Sequence, residues 1–450
     1  MSGVASLVLA VLAMLQAGPA SSAIPARSTS ASTASTASPT PALTTSSTTN
    51  CRGALTAAIA VRCALATSPA LRAAEAAVDA AAGRREAART MLPSNPTAEI
   101  TVAARHGLIN GDRDINVYGR LSQELEVAGQ RGKRKRVAEA DQEVARRRID
   151  ALRRELAAEV LSVHVEALAA RDHQAMVGRM ATSANLVLER ARAGEQAGLA
   201  TGLELDLAGV TVVRLGQQAI EAGRRLTTAH ALLAGLVGED PAMPTVQAAG
   251  LLAPLPVPED IPVLLAGALA ARAELEVARA EREMFEQRAL LFKRMRVPNP
   301  SLVLYAQRDG FNERVLGGGV AFPIPLPGPL GRSYRGEIAE NQALARQASA
   351  ELERLRRQVR AEVVIAAETL KARRAEVLAF DPARITRAEA HITALGEEMA
   401  AGRLSIREAA LLQQTFLELL AANLEARRAE ALAAVELARV AGLLPQETVP

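Results

Sequence analysis

The stretch Thr97-Ala98-Glu99-Ile100-Thr101-Val102-Ala103-Ala104-Arg105 decides how this chain is to be read. Ala98, Ile100, Val102 and Ala104 recur at every second residue, and Thr97, Glu99, Thr101 and Arg105 fall between them. A period of two makes a β-strand with one apolar and one polar face. The pattern returns over 115–125, where Ile115, Val117, Gly119 and Leu121 alternate with Asn116, Tyr118, Arg120, Ser122 and Glu124. Asn110-Gly111-Asp112 between the two runs is turn chemistry, so a hairpin is expected. A weaker hairpin follows at 301–322: Leu302, Leu304 and Ala306 share one side, and Leu316, Val320 and Phe322 share one side after a loop at Asp309-Gly310. Pro323, Pro325, Pro327 and Pro329 then end pairing. Gly317-Gly318-Gly319 reads as close backbone packing or a bend.

The two hairpins belong to an internal repeat. Asn95-Pro96 returns 204 positions later as Asn299-Pro300, and Ala64-Leu65-Ala66 as Ala268-Leu269-Ala270. Leu152-Arg153-Arg154 returns as Leu355-Arg356-Arg357 at an offset of 203, Ala193-Gly194 as Ala401-Gly402 at 208, and Ala234-Gly235 as Ala441-Gly442 at 207. The repeats are set at 51–238 and 263–445. The proline-rich connector at 239–262 cannot be continuous helix. Each repeat opens with a helix, about 55–91 and 263–296, stopped by Pro93 and Pro298. After each hairpin comes a long helical pattern. Ile149, Leu152, Leu156, Val160 and Val163 step by threes and fours, as do Leu352, Leu355, Val359, Val363, Ala366 and Leu370, which is a coiled-coil seam. The proline-free run 133–193 would reach roughly 90 Å if unbroken. Each long helix ends at a glycine-containing tip, 194–202 or 402–404, and an antiparallel partner returns over 203–237 or 405–442. The expected fold is mainly α with a small β part.

Composition agrees with long, thin packing. Apolar residues make up 49% of the 450, but aromatics are only 2% and Trp is absent, whereas a thick globular core draws on aromatics. Lys+Arg at 53 and Asp+Glu at 49 leave a net charge of +4 with both signs interspersed, so no nucleic-acid footprint is expected. Residues 1–23 carry an apolar run at 4–15 and small residues up to Ala20 or Ala23, the outline of a secretory signal peptide, although no Lys or Arg precedes the run. The tract 24–50 is rich in Ser, Thr, Ala and Pro and reads as a disordered leader. Residues 446–450 are a C-terminal tail. Cys51 and Cys63 can form one disulfide in an exported chain or stand as two unrelated thiols. His106, His164, His173, His230 and His391 are scattered, and neither a metal-ligand spacing nor a phosphate loop nor a nucleophile–base constellation is present in the sequence. No catalysis, cofactor or resident metal is expected.

Period-2 segments of 9–11 residues suit a lipid-spanning strand, and an open sheet edge is forbidden in hydrocarbon. Four strands cannot close a barrel, for which eight is the usual minimum, so several copies are required and three would supply twelve strands. The alternative is a periplasmic coiled-coil scaffold whose hairpins pack on the helices and never enter lipid.

The element order, the Asn-Pro opening each strand pair, Ser122-Gln123-Glu124-Leu125 running into Gly129-Gln130-Arg131, Phe322-Pro323-Ile324-Pro325-Leu326 and the Ala-Gly motifs resemble the TolC-like outer-membrane efflux proteins, nearest the CzcC-like heavy-metal efflux branch. The resemblance implies a homotrimer. It implies a shared twelve-stranded barrel in outer-membrane lipid with a helical tunnel in the periplasm. A periplasmic adaptor protein and a proton-driven inner-membrane pump would be its partners. It implies passive export of small solutes, heavy-metal cations among them. It also implies an acidic constriction just past the helix tips. Counted from Gly198 and Gly402, the matching carboxylates are Glu204 and Glu408, with Asp206 nearby; the plainer reading makes Glu204 and Asp206 first-turn helix residues favoured by the dipole and Glu408 an ordinary solvated residue. The basic run Arg131, Lys133, Arg134, Lys135 and Arg136 directly follows a strand and reads as an anchor to anionic head groups or as a solvated helix start.

Overall fold

The computed structural model describes residues 51–106, 113–308, 313–326, 331–401 and 403–444. The signal peptide, the leader, the C-terminal tail, Asn110-Gly111-Asp112, Asp309-Gly310, Pro327, Pro329 and Gly402 lie outside the described residues. In chain order the elements are β1 (Ala54–Leu55), α1 (Ala57–Thr67), α2 (Pro69–Ala88), β2 (Thr97–His106), β3 (Arg113–Glu124), α3 (Gln130–Gln196), α4 (Gly202–Val237) and β4 (Gln247–Ala248). The second half adds α5 (Ile261–Ala271), α6 (Ala273–Met295), β5 (Ser301–Arg308), β6 (Arg314–Ala321), α7 (Arg335–Leu378), α8 (Pro382–Ala400) and α9 (Ile406–Val440).

Two compact units share these elements, and each draws on both repeats. The first, residues 84–138 and 286–342 without the undescribed positions, holds one four-stranded antiparallel sheet in the order β2-β3-β5-β6. The hairpins do not stand apart. The inner strands of the two repeats pair from Val117 with Arg308 to Glu124 with Ser301. At the helix-proximal end of the sheet, Gln130 is 2% exposed and its Nε2 donates to Asn299 Oδ1 at 2.8 Å, while Asn299 Nδ2 donates to Glu124 Oε1 at 2.8 Å. The Asn-Pro of the second repeat thus ties the start of β5 to the end of β3.

The second unit, residues 51–83, 139–285 and 343–444, is helical apart from β1 and β4, which pair in parallel over two residues each. Its cores follow the seams read from the sequence. Val160 is fully buried, and Leu352, Val359, Val363, Ala366 and Leu370 share one cluster with Leu437 and Val440. Each fully buried Leu or Val of this kind contributes about 1.5–3 kcal/mol. His164, 3% exposed, sits at 3.0 Å from the Leu55 carbonyl, which can only accept, so Nε2 carries the proton. Cys51 and Cys63 are joined by a disulfide with Cα atoms 5.8 Å apart, stapling the segment before α1 to that helix.

Three helices expected to run unbroken are divided. The first breaks at Ser68, because Pro69 has no N–H to continue the ladder. Its counterpart breaks 204 positions later at Arg272, whose guanidinium binds Glu274 at 3.1 Å and also Glu362, holding that residue extended. The long helix of the second repeat ends at Leu378. Asp381 then caps a new helix through Ala383 N at 3.0 Å, with Pro382 in its first turn. The long helix of the first repeat, α3, runs unbroken over 67 residues, and the returning helices α4 and α9 are likewise continuous.

Candidate functional site

Register fixes which side chains of the sheet share a face. Ile100 lies opposite Gly119, Val102 opposite Val117, and Ala104 opposite Ile115. Leu121 faces Leu304, Gly119 faces Ala306, Leu302 faces Val320 and Ala306 faces Leu316. One face therefore presents Ile100, Val102, Ile115, Val117, Leu302, Leu304, Leu316 and Val320, with apolar residues from all four strands. Much of it is exposed: Ile100 at 66%, Leu316 at 80%. An exposed apolar surface spanning a whole sheet marks contact with lipid or another protein. Among the described residues, no strand pairs with the outer edge of β2 or of β6.

The opposite face is polar. Glu99 faces Arg120 and Arg105 faces Asp114, so its charges come in complementary cross-strand pairs. The Asn116 side chain is buried and donates to the Tyr118 hydroxyl at 3.0 Å. Tyr305 lies directly opposite Gly317, and a methyl group there would fall 2.4 Å from its ring carbon Cζ and hydroxyl. The middle of the triple glycine is thus flanked by a site of close packing, where a side chain is excluded by the aromatic ring.

The predicted tip carboxylates have a local structural task. Thr201 Oγ1 accepts from Glu204 N at 3.3 Å, and the Glu204 carboxylate accepts from Thr201 N at 2.9 Å. Ser405 and Glu408 make the same reciprocal pair, with Glu408 N to Ser405 Oγ at 3.3 Å and Ser405 N to the carboxylate at 2.9 Å. These are capping boxes at the starts of α4 and α9, 204 positions apart. The signal was in the sequence, as Thr-x-x-Glu and Ser-x-x-Glu before apolar runs, and a count from the tip glycines alone does not reveal it. The Thr201 backbone bond, then its hydroxyl, holds Glu204 below the usual carboxylate range; Arg407 acts in the same direction. The Ser405 hydroxyl, then its backbone N–H, does the same for Glu408. Asp206 is exposed and lies just past the first turn of α4, whereas the sequence reading sets it in the first turn.

The five basic residues after β3 separate. Arg131 Nη2 donates to the Arg89 carbonyl at 3.0 Å, and Arg134 donates to the carbonyls of Thr90 at 3.0 Å and Ala88 at 3.4 Å while pairing with Glu126. These carbonyls belong to the last residue of α2 and the two residues after it, so the two arginines cap the end of that helix. Lys133 and Lys135 are half-buried and Arg136 is exposed. Among the described residues, no group of three or more His, Cys, Asp or Glu is placed to hold a metal ion, and no helix is long and apolar enough to cross a membrane.

Residues 60–239 match the family model of the outer membrane efflux proteins. The chain has no match among curated proteins. Among solved structures it is similar to the CmeC outer membrane channel of Campylobacter jejuni, with 14% identity over 85% of this chain and 84% of that one and a TM-score of 0.69. It is also similar to the outer membrane protein VceC of Vibrio cholerae, with 16% identity, 85% and 95% coverage and a TM-score of 0.67. CusC, solved in a study of folding and transmembrane channel formation, matches with 14% identity, 86% and 92% coverage and a TM-score of 0.68.

Proposed function

We propose that three copies of this chain form a passive outer-membrane conduit, a reading supported by the match of residues 60–239 to the outer membrane efflux protein family and by a fold similar to that of outer-membrane channels. The observation that carries this reading is the sheet: one largely apolar face across four strands, one polar face, and two outer edges with no partner among the described residues. In lipid each unpaired edge costs several kcal/mol per backbone group, so the strands must be completed by neighbouring copies. Twelve strands tilted into a ring then turn the face with Glu99, Arg105, Asp114 and Arg120 toward a wet lumen and the apolar face toward lipid. The helical unit stands in the periplasm, where an adaptor and a proton-driven inner-membrane pump deliver the cargo. The cargo is a small solute, with heavy-metal cations as one class, and it passes without being held.

Glu204 and Glu408 serve as the acidic narrowing at the tips. The same hydrogen bonds that cap α4 and α9 hold both carboxylates ionised, so three copies present a persistent negative ring that attracts cations and resists closure. Lys133, Lys135 and Arg136 are the anchors that remain for anionic head groups, with Arg131 and Arg134 committed to α2.

The test is fractionation followed by bilayer recording. The conduit reading expects the full-length chain in the outer membrane, released only by detergent, running as a trimer and conducting ions across a planar bilayer. Release by carbonate or salt as a water-soluble species would establish the periplasmic scaffold instead.

A further inference from the structure

We infer that the lipid-facing side of the sheet carries a built binding surface for a phosphorylated glycolipid of the outer leaflet, made by His106, Arg113, Arg308 and Arg314. The inference rests on the reading of the sheet as membrane wall. Along the apolar face, alternation assigns the last residue at the hairpin end of every strand. On β2 it is His106, beyond Ala104 and Val102; on β3 it is Arg113, before Ile115 and Val117. On β5 it is Arg308, beyond Ala306 and Leu304; on β6 it is Arg314, before Leu316. All four are exposed. Four strands out of four thus pass from apolar to basic at the same end. At the other end this face finishes in Ala98, Gln123, Leu302 and Val320, with no basic residue.

The pairing is what points to an anion. His106 lies directly opposite Arg113 and Arg308 directly opposite Arg314. Arg308 and Arg314 are like charges directly opposite across two strands, which is destabilising, and a phosphate between them removes that cost. On the polar face of the same strands the cross-strand charges are of opposite sign, Glu99 with Arg120 and Arg105 with Asp114, so those arginines are already answered. The hairpin ends point away from the helices that enter and leave the sheet, and with those helices in the periplasm the basic rim meets the outer leaflet. Guanidinium groups there extend from an apolar wall into the head-group layer and offer forked donors to phosphate. Arg113 lies four residues beyond Val117, the residue that faces Arg308, so the two basic pairs stand about 13 Å apart along the strands. That spacing favours a head group with a phosphate at each end over one with a single phosphate, and the exposed Ile100, Leu304 and Leu316 beneath both pairs supply the surface for its acyl chains.

The experiment titrates the detergent-extracted full-length protein with bisphosphorylated lipid A, with lipid A stripped of its phosphates, and with inorganic phosphate, reading bound lipid by native mass spectrometry. The bisphosphorylated lipid is expected to bind at least about tenfold more tightly than the stripped form. The variant Arg113→Gln/Arg308→Gln/Arg314→Gln should lose that preference, and the corresponding Lys variant should keep most of it. Arg105→Gln/Arg120→Gln, on the opposite face, should keep all of it. Equal binding of the two lipids by the wild type overturns the inference. So does an assembled Gln variant that retains the preference, or displacement of the lipid by millimolar inorganic phosphate, which would mark a free-anion site. If the Gln variant does not assemble, the wild-type comparison of the two lipids decides. A wild-type chain soluble without detergent would overturn the conduit reading itself, a result distinct from any of these.

Discussion

Adding a single methyl group at Gly317 tests whether the register of the last hairpin is as described. A Cβ there lies 2.4 Å from Tyr305 Cζ and from its hydroxyl, and 2.9 Å from Cε1, distances no real pair of such atoms holds. The clash is with the far end of a ring that can swing about χ1, so the full overpacking range of about 1–3 kcal/mol is an upper limit. What Gly317→Ala must lose is the ring's place across the strand pair, about 1 kcal/mol at the top of the range for cross-strand contacts. In a three-copy ring the loss counts three times, about 3 kcal/mol for the assembly. Gly319→Ala provides the comparison, since a Cβ there meets nothing within 4 Å and a strand prefers Ala to Gly. With no Trp to report unfolding, the assay is the temperature at which the assembled species dissociates in detergent gels. Gly317→Ala should fall below the wild type and Gly319→Ala should not. Tyr305→Ala combined with Gly317→Ala should be no worse than Tyr305→Ala alone. If the two glycine variants behave alike, or if removing the ring does not relieve Gly317→Ala, the pairing of Tyr305 with Gly317 is refuted.

Further outcomes are expected in the helical unit. Cys51→Ser/Cys63→Ser opens a loop of 12 residues' separation and should cost about 3 kcal/mol on the chain-entropy account, seen as a lowered midpoint in chemical unfolding that reductant reproduces in the wild type. Ser183→Ala removes a buried hydroxyl that donates to the Ile392 carbonyl at 3.0 Å and accepts from Gln413 Nε2 at 3.2 Å, taking from the buried Gln413 amide its acceptor; about 1–3 kcal/mol should be lost by the same assay. Burial holds His164, His173 and His230 below the usual imidazole range. The folded state therefore resists protons that the unfolded chain accepts. Their contribution is complete above the unfolded value of 6.5 and is lost as pH falls toward the folded values, so the helical midpoint should drop between pH 7.5 and 5.5, and His164→Gln should flatten that slope.

Much of the sheet was legible because a period of two writes both faces into the sequence. Ile100, Val102, Ile115 and Val117 needed only alternation to be assigned a common side. The pairing of β3 with β5 was not legible, since nothing in 301–307 says which of two amphipathic neighbours it will join until register is known. The breaks at Arg272 and at Phe380 were missed for different reasons. Arg272 turns the chain through tertiary ion pairs with Glu274 and Glu362, which no local window contains. Asp381-Pro382 is a local start signal, overridden in the reading by the heptad seam that precedes it. β1 and β4 have two residues each, too few to leave a period. At the tips the carboxylates were found by position, but their partners Thr201 and Ser405 were not, because a gate was sought where a cap also sits. The basic run was read as a block, yet the open carbonyls at the end of α2 recruit two of its members and leave the other three.

If copies of this chain close the wall as proposed, the outer edges of β2 and β6, unpaired among the described residues, carry a genetic consequence. A wall closed only by sister copies fails wherever one copy presents a spoiled edge, for example a proline in β2 or β6. Co-expressed in equal amounts with the intact chain, such an allele would leave only about one ring in eight free of it if copies mix at random. Edge lesions should therefore act as dominant alleles, whereas lesions confined to a single helical core should be recessive.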